Sequence, residues 1–188
     1  GPLDLQKYYF KHRKEIADAM RDSKQIILDI SNEFESITGR KYELYEKYCL
    51  DDADIAIVVL NSTAGTAKDV VDQLRTQGIK AGLLKPRTFR PLPFKEIAHE
   101  LKNLKALAIL DKSDSVNGFC GPLFSEITSA MYSQNIHTNT VNYIYGLGGF
   151  DVKKDDLLNV FENLSQISKT NKIEKVTYYL GLENGGEN

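Results

Sequence analysis

Residues 55–60 read IAIVVL, six consecutive apolar residues of which four are β-branched. A strand with one wet face alternates apolar with polar side chains. An unbroken run must be covered on both faces, which points to an interior strand of a parallel sheet wrapped by helices. The pattern returns at Ala106–Leu110 (ALAIL). Between and after these runs the period changes from two to that of a helix. Residues 64–77 place Val70, Val71 and Leu74 on one face, and Gly78 supplies a stop. Strands are expected at 55–60, 81–84, 106–110, 140–145 and 176–180. Helices are expected at 64–77, 94–101, 121–134 (Leu123, Ile127 and Met131 inward) and 155–167. Strands alternating with helices through short connections give an α/β fold, a mostly parallel sheet flanked by helices.

The first 50 residues do not share this rhythm and read as a helical extension or linker, with the α/β domain at 51–188. One helix is expected over 3–23, with Tyr9, Ile16, Ala19 and Met20 at near-helical spacing. A second is expected over 25–37, with Ile26, Ile27, Ile30, Phe34 and Ile37 on one face and Gly39 as its stop. The last residues, 183–188, are polar and expected to fray.

Composition narrows the function classes. Hydrophobic residues at 41% and charged residues at 27% describe a globular chain rather than a disordered one. A net charge of −2 argues against a generic nucleic-acid binder. No apolar run approaches the ~20 residues that span a bilayer, and no signal-peptide core opens the chain, so a cytoplasmic protein without a membrane partner is expected. Two cysteines, Cys49 and Cys120, fall short of the four thiolates that usually hold an iron–sulfur cluster. They read as reduced thiols. His12, His99 and His137 lie on separate segments without zinc-site spacing, and no serine occupies a GxSxG elbow. No catalytic residue and no metal ligand is assigned.

In such sheets ligands gather at the carboxyl ends of the strands. Three loops fall there. Asn61–Thr66 leads into a helix N-terminus, and its Ser62, Thr63, Gly65 and Thr66 are candidates for a small anion. Ordinary N-capping by Ser62 or Thr63 is the plainer reading. The 111–121 loop, with Asp111, Asp114, Gly118 and Gly121, reads as a polar loop with Asx-turns. Gly146-Leu147-Gly148-Gly149 lacks the full dinucleotide fingerprint and reads as a turn needing positive φ or as the close approach of another chain. A fourth segment, 85–93, carries Lys85, Arg87 and Arg90 among three prolines. It either grips a phosphate or a partner's carboxylate, or clamps internally to a carboxylate of its own domain.

Three blocks, GLLKPRTFRPLP (82–93), ALAILDKSDSVNGFCGPLFSEI (106–127) and VNYIYGLGGFDV (141–152), occur in fixed order behind Gly39-Arg40-Lys41-Tyr42 and Ala53-Asp54. Together they resemble the carboxyl-terminal part of the alpha subunit of pyruvate:ferredoxin oxidoreductase, in the 2-oxoacid:ferredoxin oxidoreductase family. The resemblance covers nearly the whole chain. It departs from the usual pattern at Lys112 and at Asn117-Gly118-Phe119-Cys120. It implies a fold like the carboxyl-terminal domain of transketolase. It also implies a complex that oxidises a 2-oxoacid with thiamine diphosphate and magnesium, passes the acyl group to coenzyme A, and sends electrons through [4Fe-4S] clusters to ferredoxin. Those cofactors are implied for the whole complex; none is expected on this chain alone. Beta, gamma and delta subunits are the implied partners. The chain is then expected to act in structure and assembly, inactive by itself, with Lys85, Arg87, Arg90, Gly146, Gly148 and Gly149 as interface or coenzyme A candidates. Pyruvate is the expected oxoacid; 2-oxoglutarate or a branched-chain oxoacid is the alternative, as is a free-standing anion-binding module of the same fold.

Overall fold

A computed structural model describes residues 3–182, so the 183–188 tail expected to fray lies outside the described residues. The chain falls into two compact units. One comprises the residues up to Leu44 with Thr88–Pro93, the other Tyr45–Arg87 with the residues from Phe94 onward.

The first unit is dominated by one helix, α1 (Gln6–Thr38). The two helices expected over 3–23 and 25–37 are thus a single one. No glycine or proline interrupts the run, and Ser23, the natural breaking point, is absorbed by donating its hydroxyl to the Met20 carbonyl at 2.7 Å. Gly39 ends it as expected. It takes φ 70°, and its N–H donates to the Glu35 carbonyl at 2.8 Å.

The second unit holds a six-stranded sheet. In chain order its elements are β1 (Tyr45–Tyr48), β2 (Ile55–Val59), α2 (Thr63–Thr76), β3 (Ala81–Pro86), α3 (Phe94–Leu101), β4 (Ala106–Asp111), α4 (Pro122–Ser133), β5 (Asn139–Ile144), α5 (Lys154–Thr170) and β6 (Thr177–Tyr179). The spatial order is β1-β3-β2-β4-β5-β6. Every pair is parallel except β1 with β3. Residues 45–48, read from sequence as part of the extension, are therefore an edge strand. Its YEKY sets two adjacent charged residues between tyrosines and is at most half-buried, which leaves no apolar run to see. Lys85 and Pro86, read as loop, close β3. Pro86 pairs only with Tyr45, beyond the last β2 contact at Leu84, where its missing N–H costs no ladder bond to β2.

All five residues of β2 are buried, as its unbroken apolar run requires. Ile55, Ile57 and Val59 meet Val70, Val71 and Leu74 of α2 and Leu157, Phe161 and Leu164 of α5. The opposite face is covered by α3 and α4, which pack on each other and bury Ile97, Leu101, Leu123 and Ile127. Each fully buried Leu, Ile or Phe contributes roughly 1.5–3 kcal/mol, so the two apolar layers hold the strand ends in place.

Candidate functional site

From β2 the chain passes to β3 on one side and returns to β4 on the other. The carboxyl ends of β2 and β4 therefore flank the point where the strand order reverses, the place where open α/β sheets build sites.

The polar centre of this edge is Asp111, the last residue of β4, 3% exposed. Sequence placed it in a polar loop; it is instead a buried cap. Its Oδ1 accepts the Leu123 N–H at 2.7 Å, and its Oδ2 accepts the Phe124 N–H at 3.1 Å and the Asn142 Nδ2–H at 2.9 Å. Asn142, fully buried in β5, also donates to the Ile109 carbonyl at 2.9 Å and accepts the Gly121 N–H at 2.9 Å. The two side chains thus satisfy the free amides that open α4. Burial pushes the Asp111 carboxyl up, against the opposing pull of the Leu123 and Phe124 amides and Asn142. Sequence reasoning missed Asn142, although one polar residue inside an apolar strand was the available signal.

The 61–66 turn offers less than its composition suggests. Ser62 is exposed and helical (φ −70°, ψ −30°), and its side chain makes no capping bond. The plain expectation of N-capping is thus not met at Ser62. Thr63 is the first residue of α2, and its hydroxyl influences the side chain of Tyr145, the residue after β5. Burial, and next to it the Asp111 charge, push the Tyr145 hydroxyl up, while the Thr63 hydroxyl pulls it back. Gly65 is exposed with open space around it, and Thr66 is half-buried.

After β5 come Gly146, Gly148 and Gly149 at φ 64°, 62° and 83°. The positive-φ turn expected from GLGG is present. Among the described residues nothing lies within 4 Å of a Cβ at Gly148 or Gly149, and their positive φ is itself a reason for glycine there. Gly146 differs, since the Lys112 side chain lies 3.1 Å from its Cβ position. The turn borders an apolar hollow of about 100 Å³, lined by Tyr145, Leu147, Phe150, Leu180 and Leu182 among others. In the 111–121 loop Asp114 accepts the N–H of the adjacent Ser115 at 2.8 Å, one residue short of the expected Asx-turn, and it also accepts the Tyr179 hydroxyl at 2.8 Å.

The basic segment divides. Lys85 is half-buried within β3. Arg87 donates to Glu46 Oε2 of β1 at 2.8 Å, and Glu46 also pairs with Lys68 of α2. The Lys68 ammonium, and less strongly Arg87, hold the Glu46 carboxyl below its ordinary range against the effect of burial. Arg87 is thus joined to a carboxylate of its own unit. Arg90, in the other unit, is exposed; it donates to the Phe89 carbonyl at 2.8 Å and stacks 4.4 Å from the Phe89 ring centre.

No group of three or more His, Cys, Asp or Glu gathers as a metal site among the described residues. Cys49 is exposed, while Cys120 is buried with Sγ 3.1 Å from Thr177 Oγ1. Among the described residues no helix is long and apolar enough to cross a membrane. At the sheet's carboxyl edge Asp111, Asn142 and the opening amides of α4 bond one another, an arrangement that fixes the β4–α4 junction.

Residues 53–157 match the family described as pyruvate:ferredoxin oxidoreductase core domain II. Over 182 residues the chain is 39% identical to the pyruvate synthase subunit PorA of Thermotoga maritima, covering 97% of this chain and 45% of that subunit. It is 35% identical over 184 residues to the ketoisovalerate oxidoreductase subunit VorA of Pyrococcus abyssi, covering 97% of this chain and 46% of that subunit. The chain thus spans a little under half the length of these relatives. Among solved structures, a 2-oxoglutarate:ferredoxin oxidoreductase from Magnetococcus marinus superposes with a TM-score of 0.56 at 18% identity, covering 87% of this chain and 24% of that one. The inactive beta4 tetramer of a split-gene transketolase gives 0.52 at 14% identity, covering 69% and 44%. These two establish the transketolase-like fold. On the match over residues 53–157, the chain belongs to the pyruvate:ferredoxin oxidoreductase core domain II family.

Proposed function

We propose that this chain is a structural and assembly domain of a 2-oxoacid:ferredoxin oxidoreductase, with pyruvate as the oxoacid. The whole enzyme oxidatively decarboxylates the oxoacid to acyl-CoA and passes the electrons to ferredoxin. The observation that carries this reading is the 39% identity to a pyruvate synthase subunit over 97% of the chain. It favours a subunit domain over a free-standing anion module.

The chemistry of the donor set does not fit an iron–sulfur cluster, because the two cysteines differ in setting, one exposed and one buried against Thr177. Thiamine diphosphate, magnesium, clusters and coenzyme A belong, on this reading, to other parts of the assembly, and no reaction step is assigned to side chains of this chain. Its work is to present rigid loops, anchored by Asp111, Asn142 and the Glu46 pairs, to beta, gamma and delta subunits.

The test is reconstitution. The chain alone is expected to leave viologen unreduced with pyruvate, coenzyme A and thiamine diphosphate. Assembled with its partner subunits it is expected to support reduction, faster with pyruvate than with 2-oxoglutarate or 3-methyl-2-oxobutanoate. Turnover by the chain alone, or a preference for another oxoacid, refutes the corresponding part of the reading.

A further inference from the structure

Helix α1 buries none of its residues, yet it carries an apolar line along its length. Tyr9, Ile16, Met20, Ile27, Ile30, Phe34 and Ile37 fall on one seam, completed by Arg13 and Ser23, in alternating steps of four and three. Tyr9, Ile16, Ile30 and Ile37 are 55%, 55%, 60% and 75% exposed. Phe34 meets Tyr42 edge-on and is still 42% exposed. A mean spacing of about 3.5 residues is the signature of helices that pair by inserting side chains between those of another helix. Ile26, 57% exposed, flanks the seam one turn before Ile30 and widens it there. The helix is about 50 Å long, enough for more than four such repeats. The one short side chain in the middle of the seam, Ser23, already bonds its own Met20 carbonyl and brings no unsatisfied group to an interface.

Charge identifies the partner. Residues 6–21 hold five basic and two acidic side chains, a net of +3; residues 22–38 hold one basic and four acidic, a net of −3. The first turn has no acidic residue and the last turn no basic one. This polarity opposes the helix dipole, which favours anions at the N-terminus and cations at the C-terminus, so it does not serve the isolated helix. It matches an identical helix running the other way. Setting Met20 across from Ser23 of a second copy places Ile16 across from Ile27, Arg13 from Ile30 and Tyr9 from Phe34. Lys7 and Lys11 then face the stretch holding Glu33 and Glu35. A parallel pair would lay +3 on +3.

We propose that α1 is a self-association helix, pairing antiparallel with α1 of a second copy of this chain along the Tyr9–Ile37 seam. The pairing does not rest on the oxidoreductase reading. Sedimentation equilibrium of the whole chain at tens of micromolar is expected to show dimers. Ile16→Glu with Ile30→Glu, both at exposed positions, should weaken association at least about tenfold with helix content kept by circular dichroism. Lys7→Glu with Lys11→Glu, and separately Glu33→Lys with Glu35→Lys, should each give monomers whose equimolar mixture dimerises again. In a Cys49→Ser background, a mixture of Ile16→Cys and Ile27→Cys chains should cross-link between the two variants rather than within either. A monomeric chain, undiminished dimers in both charge variants, or same-variant cross-links would overturn the proposal. So would a monomer whose seam variants fail only to bind another subunit, which would assign the stripe to that subunit.

Discussion

A Cβ on Gly121 would overlap the carboxylate of Asp111. That carboxylate accepts the N–H groups of Leu123 and Phe124, the opening amides of α4, and in this buried setting no solvent replaces it. Gly121→Ala must turn Asp111 aside, adding the cost of overpacking to that of stranded donors. The expected loss is about 2–4 kcal/mol, read from the midpoint of urea unfolding. A loss under about 1 kcal/mol would mean that the β4–α4 junction shifts freely and that the Asp111–Asn142 pair does not set its geometry. Gly148 and Gly149 present the contrasting kind of glycine, with open space and positive φ. Sequence revealed that conformation because a Gly-rich turn after an apolar strand has few other uses. It could not reveal Gly121's role, which depends on a carboxylate that only the folded β4 brings beneath it.

At the scale of elements, legibility followed burial. β2 and β4 are buried on both faces, so their composition alone declares them. β1 is half-buried at the edge and its four residues look like linker. Missing β1 also hid the partner of Arg87, because Glu46 sits on that strand, 41 positions away in sequence. This is why sequence alone leaves both the clamp and the partner-contact reading of the basic segment open. Glu46 ties β1 to α2 through Lys68 and to the residue after β3, Arg87. Its carboxyl is held below the ordinary range, first by the Lys68 hydrogen bond. A depressed folded-state pKa contributes stability that is present above the unfolded carboxylate's pKa and lost as pH falls through the folded one. Glu46→Gln should therefore lower stability by about 1 kcal/mol at neutral pH, and the gap from the parent should close on acidification below the ordinary carboxylate range. Thermal melts of both proteins across that window check it; a gap that stays constant or widens in acid would show that the pairs do not hold the edge strand.

For the whole molecule, the two arginines of the 85–93 segment lie in different compact units, and this separates roles that sequence could not. Arg87 is committed to Glu46 within the sheet unit. Its loss should be felt in the fold: Arg87→Ala is expected to cost about 1 kcal/mol, or roughly 2–4 °C in a domain of this size. Arg90 lies exposed, its guanidinium ordered by its own neighbour through the Phe89 carbonyl and ring. A guanidinium already held in one orientation loses less entropy when it meets a planar anion. On the proposed function, the anion for it to meet would be a carboxylate of a partner subunit or a phosphate of coenzyme A. Arg90→Ala should accordingly leave the melting temperature of the chain unchanged while weakening its incorporation into the complex. Assembly measured by co-purification, with melting measured in parallel, decides between the outcomes. If the variant assembles normally but the complex needs more coenzyme A for the same rate, the residue serves the cofactor rather than the interface. If melting falls as far as in Arg87→Ala, Arg90 is a second internal clamp, and if melting, assembly and coenzyme A dependence all stay as in the parent, the segment has no part in function beyond closing β3.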